Sequence, residues 1–351
     1  MLTLQVSYFK KKYKVCAKLL GFLMIVTFLL ACVVGQGAKE NVPVKITQQS
    51  QTEETVLIPQ EALNREFSIP KSAIKASPKG DLAPPIMHSS EWSDPVPLPG
   101  SVNTAGAEDA PFVLPDGKSM YFFFTPDLSV PHEKQILDGV TGIYVAIQQN
   151  GSWENIQRVV LQTPGKIALD GCPFVLNNTL WFCSAREGYS GIHWFTVQTT
   201  VDGTSGLRIA DGKFGPGYEV GELHITSDQN ELYFHSSRPG GKGEFDIWVT
   251  KREDGMWQPP ENVEEVNSEV MEGWPFVSQD HRELWITRTY QGSPAIYRSL
   301  WDGDAWLEPE LIVSQFAGEP TLDNKGNLYF THHFQVEGKL QEADIYVAYR
   351  R

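Results

Sequence analysis

Carboxylates recur at one place in this chain. Glu108, Asp109, Asp170, Glu222, Glu272 and Glu319 each stand two to four residues ahead of a Phe or its positional equivalent, at 112, 174, 224, 276 and 321. A collar of such acids could hold a cation such as calcium, a basic peptide or the hydroxyls of a polyol. Acids beside turns also accept backbone N–H bonds, a purely structural role. The offsets divide the set. Glu108, Asp170 and Glu272 lie four residues before the reference position, whereas Glu222 and Glu319 lie two before it.

Paired carboxylates also suit glycoside hydrolysis, which needs one protonated acid and one ionised partner ~5 to 9 Å apart. Glu108 or Asp109, Asp170 and Glu272 are the candidates, with Asp170 and Glu272 named as the catalytic pair of that alternative. No glycosidase signature surrounds them. Arg186 and Arg238 occupy equivalent positions, with Arg288, His332 and His333 nearby in register. They could receive a carboxylate or a sugar, although pairing with neighbouring acids is the favoured role. Tyr218 and Trp274 fall outside the aromatic repeat described below and are better ligand contacts, Trp274 sitting beside Glu272.

Other chemistries lack their motifs. His-Glu-x-x-His, Cys-x-x-Cys and Gly-x-Ser-x-Gly are absent from the sequence, and Gly240-Gly241-Lys242-Gly243 lacks P-loop spacing and a following Ser or Thr. No cofactor is expected, calcium being the one ion the acids would accept. Of the four cysteines, Cys16 and Cys32 precede the repeats. A hairpin turning at Asn177-Asn178 sets Cys172 opposite Cys183, and a cross-strand disulfide between them is expected in an exported protein.

The elements that carry these residues repeat. Each unit opens on a short strand around Pro111-Phe112, Pro173-Phe174, Leu223-His224, Pro275-Phe276 or Pro320-Thr321. A polar turn and an aromatic second strand follow, with Tyr121, Trp181, Tyr233, Trp285 and Tyr329 at one register. A third strand comes next, then a Trp-led fourth, as at Trp153, Trp257 and Trp306. Unit starts are 62, 50, 52 and 45 residues apart, the size of a four-stranded propeller blade. The last unit lacks its fourth strand, and an orphan of that type, Trp92–Leu98, precedes the first. The expected fold is therefore all-β, a five-bladed β-propeller over 89–351 whose ring is closed by Trp92–Leu98 joining the last blade. In such a blade the first strand lines the central channel, which would put the acids at its mouth.

The run Phe234-His235-Ser236-Ser237-Arg238-Pro239-Gly240-Gly241-Lys242-Gly243-Glu244-Phe245-Asp246-Ile247-Trp248 resembles the WD40-like β-propeller repeat of bacterial envelope proteins, a family that includes the Tol-system periplasmic propeller. The resemblance covers roughly residues 89–351, with the unit from Pro173 departing most around Asp202–Gly217. It implies a habit of binding proteins, peptides or cell-wall-associated partners, but no particular ligand.

The amino terminus is an address. Five lysines and no acid fall in residues 1–31, followed by an uncharged apolar run to Val34, the pattern of a secretory signal. Leu29-Leu30-Ala31-Cys32 resembles the bacterial lipobox, which implies cleavage before Cys32 and its acylation. Residues 32–88 are polar and aperiodic, as expected of a tether or low-order arm. The net charge of −14, more negative still without the basic leader, disfavours nucleic acid as a partner. Taken together, the sequence points to a non-catalytic envelope lipoprotein on the periplasmic or cell-surface side, held at the outer membrane. Its expected partner is a protein, a peptide or a glycan, and a glycoside-acting enzyme is the alternative.

Overall fold

The computed structural model describes residues 65–162, 165–200, 203–210 and 220–351. Nearly all regular structure there is β, and no described helix is long and apolar enough to cross a membrane. Antiparallel meanders follow one another along the chain. The first runs Ala107–Val113, Ser119–Thr125, Gly142–Gln149 and Ser152–Arg158; the second runs Ala168–Leu176, Thr179–Arg186, Ile192–Thr200 and Gly203–Ile209. The third has Val220–Ile225, Glu231–Ser236 and Asp246–Glu253, with the short Met256–Trp257 and Glu261–Asn262 both on its outer side. The fourth runs Glu272–Val277, Glu283–Tyr290, Ser293–Leu300 and Glu310–Ser314. Ala317–Leu322, Leu328–Val336 and Lys339–Ala348 complete the series.

Two N-terminal segments join these sheets. Val96–Pro97 pairs with Val347 and Tyr346 of the last strand, and Trp92 bridges to Arg350. That strand is also bridged in parallel to the first meander, Ala343 to Ala107. The orphan strand thus lies where the sequence placed it. Ile86–Met87 adds to the outer strand of the fourth meander, at Ser314 and Val313.

Aromatic side chains hold neighbouring meanders together. Trp153 of the first packs edge-on against Tyr329 of the last, Trp306 of the fourth against Tyr233 of the third, and Trp92 against Trp285. Edge-to-face contacts of this kind add ~0.5–1.5 kcal/mol each beyond area burial. The repeated aromatic register is therefore packing, as its spacing implied.

The segment from Arg65 to His88, expected to be loosely held, is instead fastened across the first and last meanders. Arg65 is buried against Glu108, Lys75 binds Glu342 and Asp344, and Asp81 meets His332. Each contact gives a partner to a buried polar group that a free arm would leave without one. Cys32 and Tyr218 lie outside the described residues.

Candidate active site

Every first strand carries the same irregularity. Ladder register shifts between Asp109 and Phe112, Gly171 and Phe174, Val220 and Leu223, Gly273 and Phe276, and Gly318 and Thr321. At four of these bulges the residue before the proline adopts a left-handed backbone: Ala110 (φ 49°), Cys172 (φ 54°), Trp274 (φ 51°) and Glu319 (φ 60°). Such values are uncommon outside glycine and persist where the surroundings enforce them. A bulge re-aims its side chain. Here the bulge residues Ala110, Cys172, Glu222, Trp274 and Glu319 all line one cavity of about 1270 Å³. Two residues further along, Phe112, Phe174, His224 and Phe276 converge in a packed cluster with ring centroids 4.7–6.3 Å apart.

The acids expected to form one collar separate into two sets. Glu108, Asp170 and Glu272 are buried in structural pairs and do not line the cavity. Glu108 accepts from Arg65 (3.1 Å), Thr104 Oγ1 (2.6 Å) and the Thr104 amide (2.8 Å). Asp170 accepts from Arg186 (2.7 Å) and Ser184 (2.6 Å). Glu272 lies 2.9 Å from Arg288 Nε and accepts from Ser268 (2.5 Å). Asp170 and Glu272, the catalytic pair of the alternative, are each held by an arginine of their own meander and lie off the cavity. Arg186 and Arg238, expected as ligand contacts, do not line it either. Arg186 packs over Phe182 and Phe195 while holding Asp170, and Arg238 packs over Phe234 and Trp248.

Asp109, Glu222 and Glu319 face the cavity. Glu319 accepts from Thr331 Oγ1 (2.7 Å) and from the Ala110 amide (2.8 Å) through Oε2, and hydrogen-bonds the Asp109 carboxyl. Burial, then the charge of Asp109 and that bond, hold its pKa well above the carboxylate range, so Glu319 keeps a proton that it donates to Asp109. Glu222 is pushed up to about 8 by desolvation and by Asp109, against the opposing bonds from the Cys172 thiol and the Trp274 indole. His333 Nε2 stands 3.9 Å from Asp109 Oδ1. Three carboxyls thus share a site in which two remain protonated at neutral pH.

Several contributors were not foreseen. His235 lines the cavity, accepts the Trp274 amide at Nδ1 (3.2 Å) and is kept neutral by burial, its pKa pushed down to about 3. Room for its ring comes from Gly221, where a Cβ would fall 1.6 Å from Nε2. The stretch Pro70–Leu82 forms one wall and the turn around His132–Gln135 another. Arg65 stacks over Phe122 and Phe124 as Arg186 does over Phe182 and Phe195. The only signal for it in the sequence is Pro126, which stands where the next unit has Arg186.

Cys172 and Cys183 are thiols whose sulfurs lie 2.8 Å apart. The expected disulfide is not formed. The register differs too: the bulge at Cys172 sets Gly171, not Cys172, opposite Cys183. Among the described residues no group of three or more His, Cys, Asp or Glu could hold a metal ion, so the calcium option has no site to support it.

No family model matches this chain, and no curated protein does. Solved structures similar to it include an endo-arabinase from Bacteroides thetaiotaomicron VPI-5482, at 15% identity over 72% of this chain and 97% of that one, TM-score 0.46. A xylan β-1,4-xylosidase from Bacillus halodurans C-125 is 12% identical over 71% and 54%, TM-score 0.43. A putative TolB from Agrobacterium tumefaciens is 14% identical over 72% and 78%, TM-score 0.39. The titles of the similar structures are mainly those of enzymes, whereas the sequence pointed to a non-catalytic binding scaffold. Likeness this distant carries no reaction over to this chain, whose chemistry rests on its own residues.

Proposed function

We propose that this chain is a carboxylate-dependent hydrolase of neutral glycosides, working in the central funnel of a five-bladed β-propeller. The supporting observation is the trio Asp109, Glu222 and Glu319 in one cavity, with Glu222 raised to about 8 beside the charge of Asp109. Two carboxyls whose surroundings push their protonation apart are the acid and base of glycoside chemistry. Glu222 supplies the proton to the leaving oxygen. Asp109 acts on the sugar carbon directly or through water, and Glu319 orients Asp109 through their shared hydrogen bond. Trp274 lines the same cavity.

Neutral substrates are favoured by what lines the site. No arginine does so among the described residues, Lys75 is held by Glu342 and Asp344, His235 is uncharged, and the one other lysine of the lining is the exposed Lys339. An anionic sugar would meet Asp109 and the acids of the walls, Asp127 and Glu133 among them, and no bidentate cation. The five-bladed ring itself is supported by the five successive meanders and by Val96–Pro97 on the last strand. Export is supported by the leader, with Cys32 as the acylated residue; fatty-acid labelling lost in Cys32→Ser tests that part.

Turnover of paired aryl glycosides, neutral and uronic, tests the reaction. Wild-type hydrolysis of a neutral member, lost in Asp109→Asn and Glu222→Gln with melting temperature kept, supports it. Hydrolysis unaffected by either substitution overturns it.

A further inference from the structure

We propose that Cys172 and Cys183 form a thiol modification site that opens onto the cavity and takes a small external disulfide, and that its oxidation removes a hydrogen bond from Glu222. Cys172 occupies the bulge position whose equivalents are Ala110, Glu222, Trp274 and Glu319, and it lines the cavity with them. Its thiol donates to Glu222. Cys183 stands behind it, fully buried, with its sulfur 2.8 Å away. Cys172 is therefore at the cavity wall, and Cys183 stands behind it, poised to resolve what attaches there.

The exchange balances. Cys172 loses its thiol proton to solvent in the cavity, its sulfur attacks the external disulfide, and the expelled thiolate takes up a proton and leaves as one thiol. Cys183, giving up its proton, attacks the Cys172 sulfur and expels the second thiol. Two electrons and two protons pass from the protein to the oxidant, which leaves as two thiols, and an intramolecular S–S bond remains. A disulfide has no S–H to donate, so Glu222 then keeps only the Trp274 indole of its two side-chain donors. The hydrogen bond with Cys183, then burial and the nearby carboxyls, disfavour the thiolate of Cys172, which makes the exchange slow and selective. The cavity wall also carries Asp109, Asp127 and Glu133, so a cationic disulfide should enter faster than an anionic one. The bond is independent of the proposed hydrolysis; only its effect on turnover rests on that reading.

The full-length protein, fully reduced and then treated with cystamine or with glutathione disulfide, gives the test by intact mass after alkylation under denaturing conditions. Cystamine should yield a species lighter by two hydrogens with no alkylatable thiol at 172 or 183, at least ~10-fold faster than glutathione disulfide. Cys183→Ser should stop at a mixed disulfide on Cys172, which keeps the result readable whether or not hydrolysis is ever detected. The oxidised-minus-reduced infrared difference should show a shifted carboxyl band that is absent in Glu222→Gln. Both thiols still alkylating, Cys183→Ser staying unmodified, or a carboxyl band that does not move would each overturn the proposal.

Discussion

Arg65 reaches 43 residues along the chain to donate to Glu108 at 3.1 Å, both side chains being buried. Its guanidinium covers Phe122 and Phe124, so the segment before the first meander supplies the arginine that the second meander carries as Arg186. Despite this partner, burial pushes Glu108 up to about 7. The pair is thus a weak device for charge and a strong one for position.

Glu108→Gln should change the pH dependence of stability. With a folded pKa of about 7 against an ordinary 4.5, the folded protein keeps a proton that the unfolded chain loses between those values. That contribution is complete below pH 4.5 and lost as pH rises through 7, by about 3 kcal/mol. The glutamine variant removes this slope. Urea titrations at pH 5 and pH 8 should show wild type losing more than the variant on the way up; parallel losses would show that Glu108 does not titrate there.

His224 works in the opposite direction. Burial among Phe112, Phe174 and Phe276 pushes it down to about 3, so the unfolded chain binds a proton that the folded state refuses. Stability is complete above pH 6.5 and falls as pH drops through 3, by at most roughly 5 kcal/mol. His224→Phe, which completes the aromatic set, should flatten the acid limb of melting temperature against pH. An unchanged limb would assign acid loss to other groups.

The two sets of carboxylates should separate in a single experiment. Asp109→Asn and Glu222→Gln should lower kcat by ~10²–10⁴ with little change in melting temperature. Asp170→Asn and Glu272→Gln strip a partner from buried Arg186 or Arg288 and should cost about 3–5 kcal/mol in stability instead. In wild type, activity should fall as pH rises through about 8, where Glu222 loses its proton. A loss of turnover confined to the Asp170 and Glu272 variants would reverse the assignment.

Gly221→Ala is a steric test of the wall. A Cβ there would meet His235 Nε2 at 1.6 Å, forcing the ring away from the Trp274 amide. Overpacking of this kind costs about 1–3 kcal/mol. Trp274 fluorescence should shift if the indole moves with it, and a variant with wild-type melting and emission would mean that the ring has room to yield.

Much of the scaffold was legible in the residues. The recurring Tyr or Trp at 121, 181, 233, 285 and 329 located the second strands, since large aromatics at one register must pack between sheets. Trp92–Leu98 found its partner because the last unit lacked an outer strand. The offset between acids four and two residues before the reference position was visible as well, but not its meaning.

What tertiary structure decided is which acids meet. In a regular strand, residues four and two before Phe112 share its face, because side chains alternate with a period of two. The inserted bulge breaks that period in every first strand, turning Cys172, Glu222, Trp274 and Glu319 into the cavity while Glu108, Asp170 and Glu272 stay against their arginines. The same extra residue moved Cys172 out of line with Cys183. Arg65, Lys75 and Asp81 lay beyond sequence reasoning for another reason: their partners Glu108, Glu342, Asp344 and His332 are 43 to 269 residues away, and no local pattern encodes a contact between segments that only folding brings together.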